Sequence, residues 1–238
     1  MLIEGAISVK AAILNHKRVV HKVYIDVAKK TKDFNFIRKI TKENNIELEE
    51  LDKEALANLA EGKSFGGVLA LVENRINDNI GGGDIFYFEG IEDPFNLGYM
   101  MRNLYAFGIK NIILPKRDYT NMEAQLLKSS AGAYDMLNVC VVEEPLKTIQ
   151  ELKKNGYKVY ALVRSDNSKD IFDTKFVDKS LFMIGGEKRG ITSSLLNEAD
   201  ENLYISYGSD FRNSLNACNA LAVVSTLLYS QRRKWLHH

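Results

Sequence analysis

The spacing of apolar and polar positions changes along the chain in a way that predicts alternating helices and strands. Residues 6–14 carry a helical pattern, and the β-branched run 19–25 predicts a strand. Phe34, Ile37 and Ile40 recur at helical spacing within 34–44. Residues 46–48 predict a short strand, 51–60 a helix and 67–72 a buried strand. These elements make a small α/β unit of roughly 70 residues, large enough to fold alone. Residues 73–83 then read ENRINDNIGGG, a polar stretch without period that ends in three glycines and predicts a linker. Alternation resumes on a larger scale, with strands at 84–88, 111–114, 137–142, 158–163, 181–184 and 202–205. Helices are expected at 97–107, 122–129, 145–155, 193–197 and 215–230. Strands separated by helices imply a parallel sheet covered on both faces. The fold class is therefore α/β, with one domain over residues 1–73, a linker over 74–83 and a second domain over 84–238.

Composition changes this picture little. The chain has 238 residues, 45% hydrophobic and 26% charged, as in an ordinary soluble globular protein. The formal net charge of +1 gives no bulk argument for nucleic acid, so local patches must carry that case. No apolar run is long enough to cross a bilayer, and the first residues lack the layout of a signal peptide. Cys140 and Cys218 stand far apart with no metal-ligand partners at short spacing, so reduced thiols and a cytoplasmic location are expected. His16 and His21 have no acidic or thiol ligands nearby, so no metal is expected there. Within the first unit, Lys17, Arg18, Lys22, Lys29, Lys30, Lys32, Arg38 and Lys39 precede an acidic second half. That asymmetry fits either two solvated faces or a phosphate-facing basic surface with an acidic back.

Three segments can carry chemistry. The first, residues 91–102, follows the first strand of the larger domain and opens a helix; Asn96 is a candidate N-cap and Arg102 stands six residues beyond it. A capped strand–turn–helix with a surface arginine has the same local pattern. The second, residues 183–191, runs an apolar strand into Gly185, Gly186 and Gly190. Glycines there let a ligand approach the backbone, Glu187 can anchor a neighbour, and Lys188 and Arg189 can meet phosphate. An ordinary strand-to-helix turn would also read this way. The third, residues 205–219, leads into a long apolar helix, with Asn213 or Ser214 as its cap and Leu221, Val224, Leu227 and Leu228 as a stripe for a core or a partner helix. A dinucleotide fingerprint and a phosphate-binding P-loop are both excluded, because the glycine spacings do not match either.

Taken in order, the three segments resemble the three motifs of the SpoU/TrmH class of SPOUT methyltransferases. The first motif's Asn and Arg fall on Asn96 and Arg102, the second motif's G-x-E-x-x-G on Gly185, Glu187 and Gly190, and the third motif's S-L-N on Ser214, Leu215 and Asn216. The resemblance spans residues 84–229, and the first unit is similar to the L30e-like substrate-binding domain that often precedes this catalytic domain. Two departures stand out. Residues 64–67 read Ser-Phe-Gly-Gly where the family often has H-Q-G, and Ile205-Ser206-Tyr207 stands where it usually has I-P-M. The lost proline removes a fixed φ from the cofactor loop.

The resemblance implies a parallel sheet with a C-terminal trefoil knot, a homodimer, and transfer of a methyl group from S-adenosylmethionine to a ribose 2′-hydroxyl of a structured RNA, ribosomal RNA first and transfer RNA second. A non-catalytic RNA-binding protein that keeps the fold is the alternative. Cofactor binding is expected at Gly185, Gly186, Glu187, Gly190, Ile205, Leu215 and Asn216. Arg102, Asn96, Ser214, Asn216 and Glu187 are expected at the reacting groups, and Lys17, Arg18, Lys22, Lys188 and Arg189 at the RNA. Family proposals make the arginine a base. A guanidinium holds its proton to above about pH 12, and its fork suits a phosphate or a developing oxyanion better.

Overall fold

The computed structural model describes residues 1–62, 65–186 and 188–235, with nothing stated of the side chains of 234 and 235. In chain order its elements are β1 (Leu2–Glu4), α1 (Ala6–Asn15), β2 (Val20–Asp26), α2 (Lys32–Glu43), β3 (Glu47–Leu51), α3 (Lys53–Leu59) and β4 (Val68–Val72). There follow β5 (Ile85–Glu89), α4 (Pro94–Ala106), β6 (Asn111–Pro115), α5 (Glu123–Ser129), α6 (Ala133–Met136), β7 (Asn138–Val142) and α7 (Pro145–Lys154). The chain closes with β8 (Lys158–Leu162), β9 (Lys169–Asp170), β10 (Ser180–Gly185), α8 (Ser193–Leu196), β11 (Glu201–Tyr204) and α9 (Ala217–Trp235). They fall into two compact units, one of Met1–Ile76 with Asp118–Met136 and one of Asn77–Arg117 with Leu137–His238.

In the first unit the sheet order is β1-β4-β2-β3; β4 runs antiparallel to both neighbours and β2 parallel to β3. Ile3, Val9, Val23, Ile25, Ile37, Leu56 and Leu69 fill its core. α6 packs on α1 and α5 on β1. Residues 73–76, read from sequence as the start of a linker, are tied down: Glu73 N–H donates to Val19 O and Ile76 N–H to Lys17 O.

One expected RNA-facing cation is buried here and a second is ion-paired at the surface. Arg18 is buried, 5% exposed, and its guanidinium donates to both carboxylate oxygens of Asp135 (2.8 and 2.9 Å) and to Glu123 (2.8 Å). A side chain so enclosed is a core ion pair and cannot reach a phosphate. Lys22 lies between Glu47 (2.6 Å) and Glu49 (2.8 Å), whose hydrogen bonds hold its ammonium well above the usual lysine pKa. In the free protein its charge is met by these two carboxylates. Lys17 is half-buried.

In the second unit every strand pairing is parallel, in the order β7-β6-β5-β10-β8-β11-β9. From β5 the chain builds outward through β6 and β7, then returns to the other side of the sheet. The crevice beside the carboxyl ends of β5 and β10 is thus a topological switch point, where ligands gather in such sheets. Phe182 stacks between Phe86 (4.9 Å) and Tyr160 (5.2 Å), with Phe176 edge-on at 5.0 Å, so the central strands are held by aromatic packing.

α9 packs along α4, burying Leu221, Val224 and Leu228. The apolar stripe on α9 is therefore largely core, with Leu227 only partly covered. Its far end is fixed by Arg232, which donates to both oxygens of Asp84 (2.8 and 3.1 Å) at the start of β5. Burial pushes the Asp84 carboxyl upward despite that cation.

Candidate active site

Two helix starts near the crevice differ from expectation. α4 begins at Pro94, and its cap is Asp93, whose carboxylate accepts from Asn96 N–H at 2.9 Å. Proline suits the first helical position because it has no N–H to satisfy. Asn96 therefore lies inside the first turn, with its side chain released from capping. α9 begins at Ala217, so Asn213 and Ser214 do not cap it. Asn216 does: its Oδ1 accepts from Cys218 N–H at 2.8 Å and its carbonyl from Ala220 N–H at 3.0 Å. The Cys218 thiol in turn donates to Asn96 O at 3.2 Å, joining the starts of α4 and α9.

The loop after β10 explains the glycines. Gly186 N–H donates to Glu89 O (2.7 Å) at the end of β5, and Gly190 N–H folds back onto Gly186 O (2.9 Å). A Cβ on Gly185 would lie 2.4 Å from the Gly190 carbonyl carbon, and one on Gly186 would lie 2.2 Å from Gly90 O. Gly190 itself takes φ +64°, which a residue with a Cβ rarely adopts. Glu89 adds a carboxylate that accepts from Thr192 N–H at 2.9 Å. Backbone thus presses on backbone at the strand end, and any side chain there would force the loop away from β5.

Beside this loop, at the carboxyl ends of β8, β10 and β11, lies a cavity of about 550 Å³. Leu162, Ile184, Leu203 and Ile205 give it apolar walls, Gly185, Gly186 and Gly190 one rim, and Ser214 and Leu215 another. A second cavity of about 360 Å³ is lined by Gly90–Asp93, Asn96 and Lys188, and shares Gly186 and Ala217 with the first. Gly185, Gly186, Gly190, Ile205, Ser214 and Leu215 are thus brought to one cavity, and Asn96 and Lys188 to the adjoining one. Asn216 is in neither lining; it follows Leu215 and caps the start of α9. Arg102 lines neither; it is exposed on α4, as Arg189 is on its loop. Glu187 lies outside the described residues.

Among the cavity residues that escaped the sequence reading are two arginines and a tyrosine. Arg164 and Arg212 stand exposed at the edge of the larger cavity. Arg164 follows the end of β8 by two residues, so the rule that sites gather at strand ends could have found it. Tyr207 also lines the cavity, and its phenol oxygen accepts from Leu215 N–H at 3.1 Å. That bond closes residues 207–215 into a ring, a brace in the loop that lacks the family's proline. Among the described residues no cluster of His, Cys, Asp and Glu could hold a metal ion, and no helix is long and apolar enough to cross a membrane.

The comparisons agree along the whole chain. Residues 85–226 match the SpoU rRNA Methylase family, and residues 2–76 match the RNA 2′-O ribose methyltransferase substrate binding domain. A Staphylococcus haemolyticus protein named as a TrmH family tRNA/rRNA methyltransferase is 29% identical over 245 residues, covering 98% of this chain and 96% of the relative. The SpoU methyltransferase AviRb from Streptomyces viridochromogenes shares the fold with a TM-score of 0.79 at 20% identity, covering 98% of this chain and 90% of that one. The same enzyme in complex with the cofactor AdoMet superposes with a TM-score of 0.77 at 19% identity, over 98% and 90% of the two chains. With one family match spanning the parallel sheet and both cavities, and the other most of the smaller unit, the chain belongs to the SpoU rRNA methylase family and is an RNA methyltransferase.

Proposed function

We propose that the chain transfers the methyl group of S-adenosylmethionine to a ribose 2′-hydroxyl of a structured RNA, ribosomal RNA before transfer RNA. The observation that carries this reading is the pair of adjoining cavities at the switch point. The larger is within the ordinary range of about 300–1,000 Å³ for small-molecule sites. It combines apolar walls with a rim of glycine backbone and exposed arginines, a donor set suited to a flat adenine and a polar amino-acid tail. When bound, the cofactor supplies an electrophilic methyl on a sulfonium. The smaller cavity, with Asn96 and Lys188, is suited to one exposed nucleotide, and their adjacency provides the proximity that a group transfer needs. Arg102 would hold a backbone phosphate or the developing oxyanion, and Asn216 would keep the starts of α4 and α9 in register. The preference for ribosomal RNA follows the family description. The trefoil knot and the homodimer belong to the same reading; exposed Phe95 and Tyr99 on α4 and Tyr229 on α9 offer apolar surface for a second copy.

Calorimetric titration with S-adenosylmethionine and then S-adenosylhomocysteine tests the proposal. Binding near one per chain is expected, followed by transfer of label to RNA at 2′-O positions. A folded protein that binds neither compound, alone or with total RNA present, would be the RNA binder without catalysis.

The glycine rim makes a sharper prediction. Gly186→Ala puts a methyl group 2.2 Å from Gly90 O. Overpacking of this kind costs about 1–3 kcal/mol, and relieving it moves the loop off the cavity rim, so cofactor affinity should fall by about fivefold to 150-fold. Unchanged affinity in the same titration would remove Gly186 from the cofactor's cradle.

A further inference from the structure

We infer that the loop between β2 and α2, together with the first residue of α2, is the phosphate-gripping surface of the first unit, with Lys29, Lys30 and Lys32 as its contacts. The inference rests on RNA being the substrate and names the residues that hold it.

It follows from accounting for the basic stretch residue by residue. Arg18 is buried against Asp135 and Glu123, and Lys22 is held by Glu47 and Glu49. Arg38 donates through Nε to Glu50 (2.5 Å), and Lys39 lies 3.6 Å from Glu43. Lys29, Lys30 and Lys32 are exposed and form no ion pair among the described residues. The nearby acidic groups are already engaged. Asp33 is paired with Lys10 at 2.9 Å, and buried Asp26 accepts from Ala28 N–H at 2.9 Å. From Arg18 to Lys39, the named basic residues that meet no carboxylate among the described residues are Lys29, Lys30 and Lys32, and they lie together.

The loop is also built in advance. Asp26 N–H donates to Gly67 O (3.0 Å), Val27 N–H to Leu51 O (2.9 Å) and Lys29 N–H to Asp26 O (3.1 Å). Arg38 donates from its two terminal nitrogens to Lys29 O (2.8 Å) and Asp26 O (3.3 Å). The Lys29 stem runs beside Gly67, where a Cβ would meet its Cε at 3.1 Å, and its ammonium sits 5.4 Å from the Phe34 ring centroid. Holding the backbone before contact lowers the ordering cost of binding. Three lysines on a pinned turn, with exposed Val27 between them and the sheet, suit the phosphates and shape of a folded RNA.

The test uses the full chain, with bulk ribosomal RNA and bulk transfer RNA as probes in filter binding between 50 and 200 mM salt. The triple variant Lys29→Gln/Lys30→Gln/Lys32→Gln is compared with a control of equal charge, Lys39→Gln/Lys42→Gln/Lys53→Gln. Each lost phosphate contact removes about 0.7–0.9 from the slope of log K against log salt. The loop variant should therefore lose about 2 in slope and about tenfold to a hundredfold in affinity, with an unchanged thermal midpoint, while the control binds as the wild type does. Wild-type affinity in the loop variant overturns the inference and points to an acidic protein as the loop's partner. An equal loss in the control overturns it too, by showing a diffuse charge effect. Wild-type protein that binds neither RNA overturns the RNA reading itself, and this inference with it.

Discussion

Arg102→Ala is expected to slow methyl transfer about 10²–10³-fold, the usual cost of removing one preorganised donor from a developing charge, while thermal stability and cofactor affinity stay as in the wild type. The argument begins with what Arg102 does not do. It is exposed, and it makes no hydrogen bond or ion pair among the described residues. Nothing in the fold accounts for it, so its removal should cost the fold nothing. Its place on α4 is nevertheless specific: six residues beyond Asn96 is about 9 Å along the helix axis, and Phe95 and Tyr99 share the exposed side with it. On the proposed reading, RNA bound at the switch point brings a backbone phosphate or the developing oxyanion to that guanidinium. Arg102→Lys separates two roles. A clamp that works by charge should keep partial activity with an unchanged pH–rate profile under single-turnover conditions, whereas a base should shift the profile. Activity within threefold of wild type in Arg102→Ala would take the residue out of the reaction.

Much of the larger sheet could be read from the chain because its central strands are buried on both faces. Ile85–Phe88 and Leu181–Ile184 are continuous apolar runs, and all eight residues are buried. The elements that escaped are short: β1 spans three residues, β9 two and α6 four. Runs of that length carry no period, and β1 exists because it pairs with β4, about 70 residues away. The misplaced caps have a local cause. At α4 and α9 several capping residues compete within a few positions, and at α4 Pro94 settles the choice by fixing its own φ. The glycine rim was legible because close backbone approach leaves a mark in sequence. The charge on the first unit was not, because whether a lysine is free depends on carboxylates from other strands and helices. Lys22 meets Glu47 and Glu49 only through the β2–β3 pairing.

Arg18 carries that point furthest, since its partners Glu123 and Asp135 lie 105 and 117 residues away in sequence. Its replacement by alanine is expected to cost the first unit about 3–5 kcal/mol, the range for breaking a buried ion pair by removing one partner. The Arg18 and Asp135 side chains are fully buried and Glu123 nearly so. Burial by itself would lower the Arg18 pKa, but the hydrogen bond to Asp135 and the two carboxylate charges more than offset it, so the guanidinium is held above its usual value and stays charged. Arg75 shares the cluster, donating through Nε to Tyr134 O (3.2 Å) and lying 3.8 Å from Asp135. Arg75 N–H donates to Glu123 at 2.9 Å. Burial pushes the Tyr134 phenol upward beneath the two guanidinium groups, 5.8 and 5.1 Å from its ring centroid. Removing Arg18 strands the Asp135 carboxylate in the core with Arg75 as its remaining nearby cation, and urea unfolding should show the loss directly. The double variant Arg18→Met/Asp135→Leu removes the more deeply buried of the two carboxylates and fills the space, leaving Glu123 with the Arg75 N–H, so it should lose less than Arg18→Ala alone despite carrying one more substitution. If Arg18→Ala loses under about 1 kcal/mol, the value of a surface pair, the cluster is solvated and Arg18 returns to the candidates for RNA contact.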